Sequence, residues 1–184
     1  MSNSFWHNGL LVYGALYLIG YGKIKDIALN AIDSRRSIFA AAPILALVSF
    51  IPSYFIARTV VFIIEVAGYS VDDALPSFEL DGIMFFVAIV LGPLFETFLL
   101  AAGIFFIRKI HVNPWVVSLI SGVVWSFFHG YQASLWALGT IWPFIVFSRA
   151  YLSWRSQGLS NAIGIAWISH SIHNALAVAV SYIP

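Results

Sequence analysis

Four side chains in the second half of the chain have the types and spacing to do hydrolytic chemistry together: Glu96, His129, His170 and Asn174. Glu96 stands in GPLFETFLLAAGIFFIR (residues 92–108), with no other charged residue within ten positions on either side. An ionisable group at bilayer depth costs roughly 2.5–3.5 kcal/mol on insertion scales, which makes it a functional-site hypothesis by default. Pro93, three residues earlier, removes the N–H that would reach the carbonyl four residues back, so water or a neighbouring helix must satisfy that carbonyl. A polar notch beside a carboxylate is what the activation of water requires. His170 and Asn174 are four residues apart, one above the other on a single helix face, with His173 beside them. Read functionally, His170 and Asn174 are donors for a developing oxyanion. The bland readings are a protonated Glu96 hydrogen-bonding between helices, an interfacial His129, and an inter-helix polar clasp at 170–174.

The elements that must position these residues are apolar helices. The 184 residues are 61% hydrophobic and 9% charged, with mean hydropathy +0.91. So little polar surface excludes a soluble domain of this size, and the long, non-alternating apolar runs argue against a membrane β-barrel. A formal net charge of +1 offers no basic field for nucleic acid. The absence of cysteine removes disulfides, thiolate metal sites and a Cys nucleophile. The N-terminus has no basic n-region or small-residue cleavage pattern, so it is read as mature chain.

In chain order the runs are 5–21, which spans or lies in the interface, then 37–57 with Pro43 and Pro52 as expected kinks, and 59–69 after Arg58. Arg58 and Glu65 are two turns apart and share a face. They are read as snorkelling residues at the outer boundary, with a substrate-gating pair as the alternative. An acidic loop (70–81) without Lys or Arg precedes the Glu96 run, 82–107, and crossings over 114–131, 134–147 and 159–183 follow. Ser118, Gly122 and Ser126 recur at four-residue spacing, which lets the fourth crossing approach a neighbour closely. Lys and Arg between successive crossings number four, zero, two, zero, two. The expected fold is therefore an all-α, polytopic membrane helix bundle of six crossings, or five if the first run lies flat. It forms a single integral-membrane domain over 1–184 in the cell membrane, with linkers 22–36, 108–113 and 149–158 cytoplasmic. At 1.5 Å per residue, Glu96, His129 and His170 lie about 17–23 Å from the cytoplasmic ends of their helices, compatible with one site.

The order P-x-x-E (Pro93, Glu96), aromatic-x-x-x-H (Trp125, His129) and H-x-x-x-N (His170, Asn174) resembles the CAAX-protease and bacteriocin-processing intramembrane peptidases, which include prokaryotic relatives of the Ras-converting endopeptidase. The resemblance covers about residues 86–180. It implies a water-accessible site inside a helix bundle, with Glu96 and His129 activating water and His170 and Asn174 holding the oxyanion. His173, Trp125, Pro93 and Thr97 stand as supporting positions. The family's usual second glutamate and the arginine four residues after it are replaced by Thr97 and Ala101, and its usual phenylalanine by Trp125. Glu96, His129 and His170 would also make a His₂Glu zinc set, but ligation would consume the only carboxylate available as a base. A glutamic peptidase without a cofactor is therefore the first expectation, with zinc as the alternative. The basic-free loop at 70–81 turns that end of the Glu96 helix outward. The expected partner is then a membrane-associated peptide or protein presented from the outer side, either a translocated peptide or a C-terminal sorting signal. A non-catalytic immunity or scaffold protein on the same fold, and a proton-coupled transporter, are the competing readings.

Overall fold

The computed structural model describes residues 37–71, 81–110 and 113–181. The first apolar run (5–21), the linker 22–36 and most of the acidic loop (72–80) lie outside the described residues. Within them all regular structure is helical: α1 (Ile38–Val66), α2 (Gly82–Ile110), α3 (Pro114–Gln132), α4 (Trp136–Trp154) and α5 (Leu159–Ser181). Among the described residues, α1, α2 and α5 are long and apolar enough to cross a membrane.

Several expected boundaries move. α1 runs unbroken through Pro43, Pro52 and Arg58 for 29 residues, so 37–57 and 59–69 are one helix. α2 retains Arg108 and Lys109 in its last turn, and α4 extends to Trp154 rather than ending at 147. Arg149 is thereby part of α4, with its guanidinium 4.6 Å from the centre of the Trp115 ring on α3. Arg58 and Glu65 are both exposed, and neither lines the cavity described below. The starts of α2 and α3 are capped locally. The Asp81 carboxylate accepts from Met84 N at 2.7 Å, and the Asn113 side chain accepts from Trp115 N at 2.9 Å, just before Pro114.

The bundle has an apolar core but also carries large apolar side chains on its outside. Ser49, Ser118, Ser148 and Ser169 are fully buried, while Phe55, Phe62, Phe95, Phe105 and Phe127 face outward. Beside an apolar core that includes Phe144, Phe147 and Trp154, buried serines and outward-facing phenylalanines fit helices packing in lipid, where small residues allow close backbone approach. α4 is the axis and touches all four other helices. Its closest partner is α3: a Cβ at Gly122 would sit 2.5 Å from the Ile145 side chain and 2.9 Å from the Ile141 carbonyl. Ser121 and Ser148 hydrogen-bond across that seam at 2.9 Å, and the Ser126 hydroxyl donates to the Ala137 carbonyl at 2.7 Å.

Four prolines lie inside these helices, Pro43, Pro52, Pro93 and Pro143, and at the last three the freed carbonyl takes a hydrogen bond from another helix. Pro52 cannot donate to Val48, and the Trp142 indole of α4 donates to the Val48 carbonyl at 2.9 Å. Pro143 cannot donate to Gly139, and the Ser53 hydroxyl of α1 donates to the Gly139 carbonyl. Pro93 follows a π-helical turn (Val87–Leu91) in which Gly92 N–H already reaches five residues back to Val87. The carbonyl that Pro93 leaves free in that register is Ala88, not the residue four back, and the Asn174 amide of α5 donates to it at 2.9 Å. A freed carbonyl away from water needs a side-chain donor, whereas Phe39, the residue four before Pro43, lies at the exposed start of α1.

Three substitutions test this packing by thermal unfolding of detergent-solubilised protein. Gly122→Val should destabilise by about 1–3 kcal/mol through overpacking, whereas Gly103→Ala, with open space where its Cβ would lie, should not destabilise. Trp142→Phe, which leaves the Val48 carbonyl without its donor, should cost about 1 kcal/mol.

Candidate active site

Glu96 lies one turn after Gly92–Pro93 on α2 and points into the bundle between α3 and α5. Its Oε2 is 3.9 Å from His129 Nε2 and 3.7 Å from His170 Nε2. Oε2 is buried, and no described side chain or backbone group hydrogen-bonds to it. Separations of 3.7–3.9 Å are too long for a direct hydrogen bond. They suit three groups sharing one water, each about 2.8 Å from it.

His129 is held by its own helix. Its Nδ1 is 2.9 Å from the Trp125 carbonyl. A carbonyl oxygen only accepts, so Nδ1 carries the hydrogen and Nε2 of the neutral ring presents a lone pair toward Glu96. The imidazole is boxed by the edge-on Trp136 ring at 4.7 Å and by Phe144 at 5.1 Å. Phe144 is itself stacked flat on Trp125 at 4.7 Å. His170 stacks on Phe147 at 4.6 Å and meets the edge of Phe144 at 5.3 Å. Aromatic walls of α3 and α4 thus limit both rings to orientations that aim Nε2 at the carboxylate.

The supporting positions have specific tasks. Asn174 lines the cavity, but its amide is engaged with the Ala88 carbonyl of the π turn, one position from its neighbour Ile89 where the simple proline rule points. Trp167, two turns earlier on α5, donates to Val90 of the same turn at 3.1 Å. Together they fasten the segment that precedes Glu96. The Thr97 hydroxyl turns back to the Pro93 carbonyl at 2.7 Å, so it serves α2 and not the cavity. His173 is joined through Nδ1 to Ser49 Oγ at 2.9 Å. Ser49 gives its own hydrogen to the Ala46 carbonyl at 2.8 Å, so the imidazole is the donor and its Nε2 is left as an acceptor.

Glu96, His129, His170, His173 and Asn174 line a cavity of about 680 Å³ whose sole carboxylate, among the described residues, is Glu96. Its floor is Glu96, His129 and His170. Its walls continue past Ala88, His173, Asn174, Ala177 and Val178 to Met84 and Ser181, which are exposed at the mouth. The mouth lies at the end of the bundle where α2 begins and α5 ends.

The donors a metal ion would use are Glu96, His129 and His170. Their carboxylate–imidazole separations exceed the roughly 3.3 Å between neighbouring ligands of a tetrahedral zinc. Among the described residues no group of three His, Asp or Glu is arranged to hold a metal ion. As placed, the set does not fit that role.

Trp136, Phe144, Phe147, Trp167 and Ser49 belong to the site but were not singled out from the sequence. The signal available for Phe144 and Phe147 was their spacing from Pro143 and Thr140 along one face of α4; nothing local marked Ser49 or Trp167. Compared with protein-family models, curated proteins and solved structures, the chain matches none.

The His129 geometry makes a spectroscopic prediction. In ¹⁵N-histidine-labelled protein, the neutral form of His129 should be the Nδ1–H tautomer. An Nε2–H tautomer would mean that the Trp125 carbonyl does not orient the ring.

Proposed function

We propose that this chain is an intramembrane endopeptidase of glutamic type, a multi-pass cell-membrane protein of six or five crossings resembling the CAAX-protease and bacteriocin-processing peptidases. The observation that carries this reading is the Glu96 carboxylate, its Oε2 buried and within 4 Å of two imidazole nitrogens, at the floor of an open cavity. Water held by Glu96 and by the lone pair of His129 Nε2 attacks the scissile carbonyl carbon, and its proton passes to this pair. The resulting oxyanion is stabilised by His170 as an Nε2–H donor and by the second amide hydrogen of Asn174, the first being used on Ala88. Collapse of the tetrahedral intermediate breaks the C–N bond, and the proton returns to the leaving amine. The substrate is a membrane-associated peptide or protein segment entering from the mouth at Met84 and Ser181. On the charge pattern that end faces outward, with 22–36, 108–113 and 149–158 on the cytoplasmic side.

A second reading is favoured by one specific set of bonds. The amides and hydroxyls of Asn174, Thr97 and Ser49 are engaged within and between helices, as in a non-catalytic scaffold that uses polar groups as clasps.

The two readings separate in cells. Peptide termini in the membrane fraction that appear with the wild-type protein should vanish with Glu96→Gln and with His129→Ala, and turnover on such a substrate should fall by roughly 10²–10⁴-fold. Glu96→Gln should keep the wild-type melting temperature, and cleavage should survive a chelator. Asn174→Leu should lower both stability and cleavage. A Glu96→Gln protein that sustains the same new termini sinks the catalytic reading.

A further inference from the structure

Away from the catalytic cavity, a second groove of about 650 Å³ runs along α2 against the end of α4 and the start of α5. Its α2 wall is Phe98, Ala102 and Phe105, three- and four-residue steps that form one stripe. Its mouth is formed by Arg108, Lys109 and Arg155, all exposed. We propose that this groove binds one anionic phospholipid, with its phosphate between the two guanidinium groups and an acyl chain along the stripe. This inference does not depend on the hydrolytic reading.

Length, charge and shape argue for that occupant. From Arg108 to Phe98 the helix advances about 15 Å, half the hydrocarbon thickness of a bilayer, which is the depth of one lipid chain in one leaflet. No carboxylate among the described residues pairs with the three cations. Both ion pairs found there involve Glu96, and the described Glu65 and Asp81 lie toward the opposite ends of α1 and α2. Lys109 rests over Phe105 and Phe106, 4.7 and 5.3 Å from the ring centres. Its charge is thereby held at the groove's edge, where a phosphate would be reached. Guanidinium groups offer paired N–H donors that match phosphate oxygens. Ala101 and Ala102, between the two phenylalanines, leave the channel open to a chain.

The test is native mass spectrometry of the full chain in mild detergent, titrated with phosphatidylglycerol, with phosphatidylcholine of the same acyl chains, or with glycerol phosphate. One phosphatidylglycerol should be retained in preference to phosphatidylcholine, and glycerol phosphate should not displace it. Arg108→Gln and Arg155→Gln should each weaken retention about fivefold, the loss expected for one cation near a lipid phosphate. Ala102→Trp, which blocks the channel and keeps every charge, should abolish retention. Equal retention of the two lipids by the wild-type protein overturns the proposal without reference to any variant. So does displacement by glycerol phosphate, which would mark a free-anion site, and so does undiminished binding by Ala102→Trp, which would reduce the groove to unspecific charge attraction.

Discussion

A backbone carbonyl released by proline must be hydrogen-bonded again where no water is at hand, and the architecture of this bundle follows from how that is met. In water, Pro52, Pro93 and Pro143 would leave carbonyls to the solvent. Here Trp142, Asn174 and Ser53 reach across from other helices to Val48, Ala88 and Gly139. α1 and α4 are cross-linked reciprocally, each supplying the donor for the other's break. The defects that weaken single helices are thereby the points at which the helices are joined.

The geometry of the carboxylate descends from the same constraint. The π turn at 87–91 and Pro93 interrupt α2 one turn before Glu96, and α5 holds that interruption at two places, through Asn174 and Trp167. A helix fastened there cannot rotate freely about its axis, so Glu96 meets His170, which lies one turn before Asn174 on α5. The Thr97 hydroxyl is spent on Pro93 within α2, and among the described residues Glu96 is the one carboxylate lining the cavity. Phe144 of α4 then serves both histidines, touching His129 on one side and His170 on the other. The site is assembled from four helices because α4 is the one element in contact with all the rest.

The bundle also separates its two ends chemically. The cavity mouth lies where α2 begins and α5 ends, and Glu96 is the only charged carboxylate candidate along it among the described residues. The opposite end gathers Arg108, Lys109, Arg149 and Arg155. Arg149 is satisfied in part by the face of Trp115, and Lys109 by two phenylalanine rings, so aromatic surfaces do here what carboxylates do in a soluble protein.

Composition and spacing by themselves determined that the chain is helical and apolar, and that Glu96, His129 and His170 stand at comparable depths on separate helices. They also marked the Ser118, Gly122 and Ser126 face as a place of close approach, because a small-residue stripe is a local property of one helix. Hydrogen-bond partnership is not local. Proline rules pointed to a free carbonyl four residues before Pro93, but only the π turn moved it to Ala88, and only the placement of α5 chose Asn174 as its donor. The sequence likewise marked His129 without its tautomer, which depends on the ring's reach to the Trp125 carbonyl. Nor did it show that Phe144 and Phe147 would aim both rings. The Trp125 bond is local to α3, but the aromatic walls of α4 that hold both rings in place exist only once the bundle is assembled.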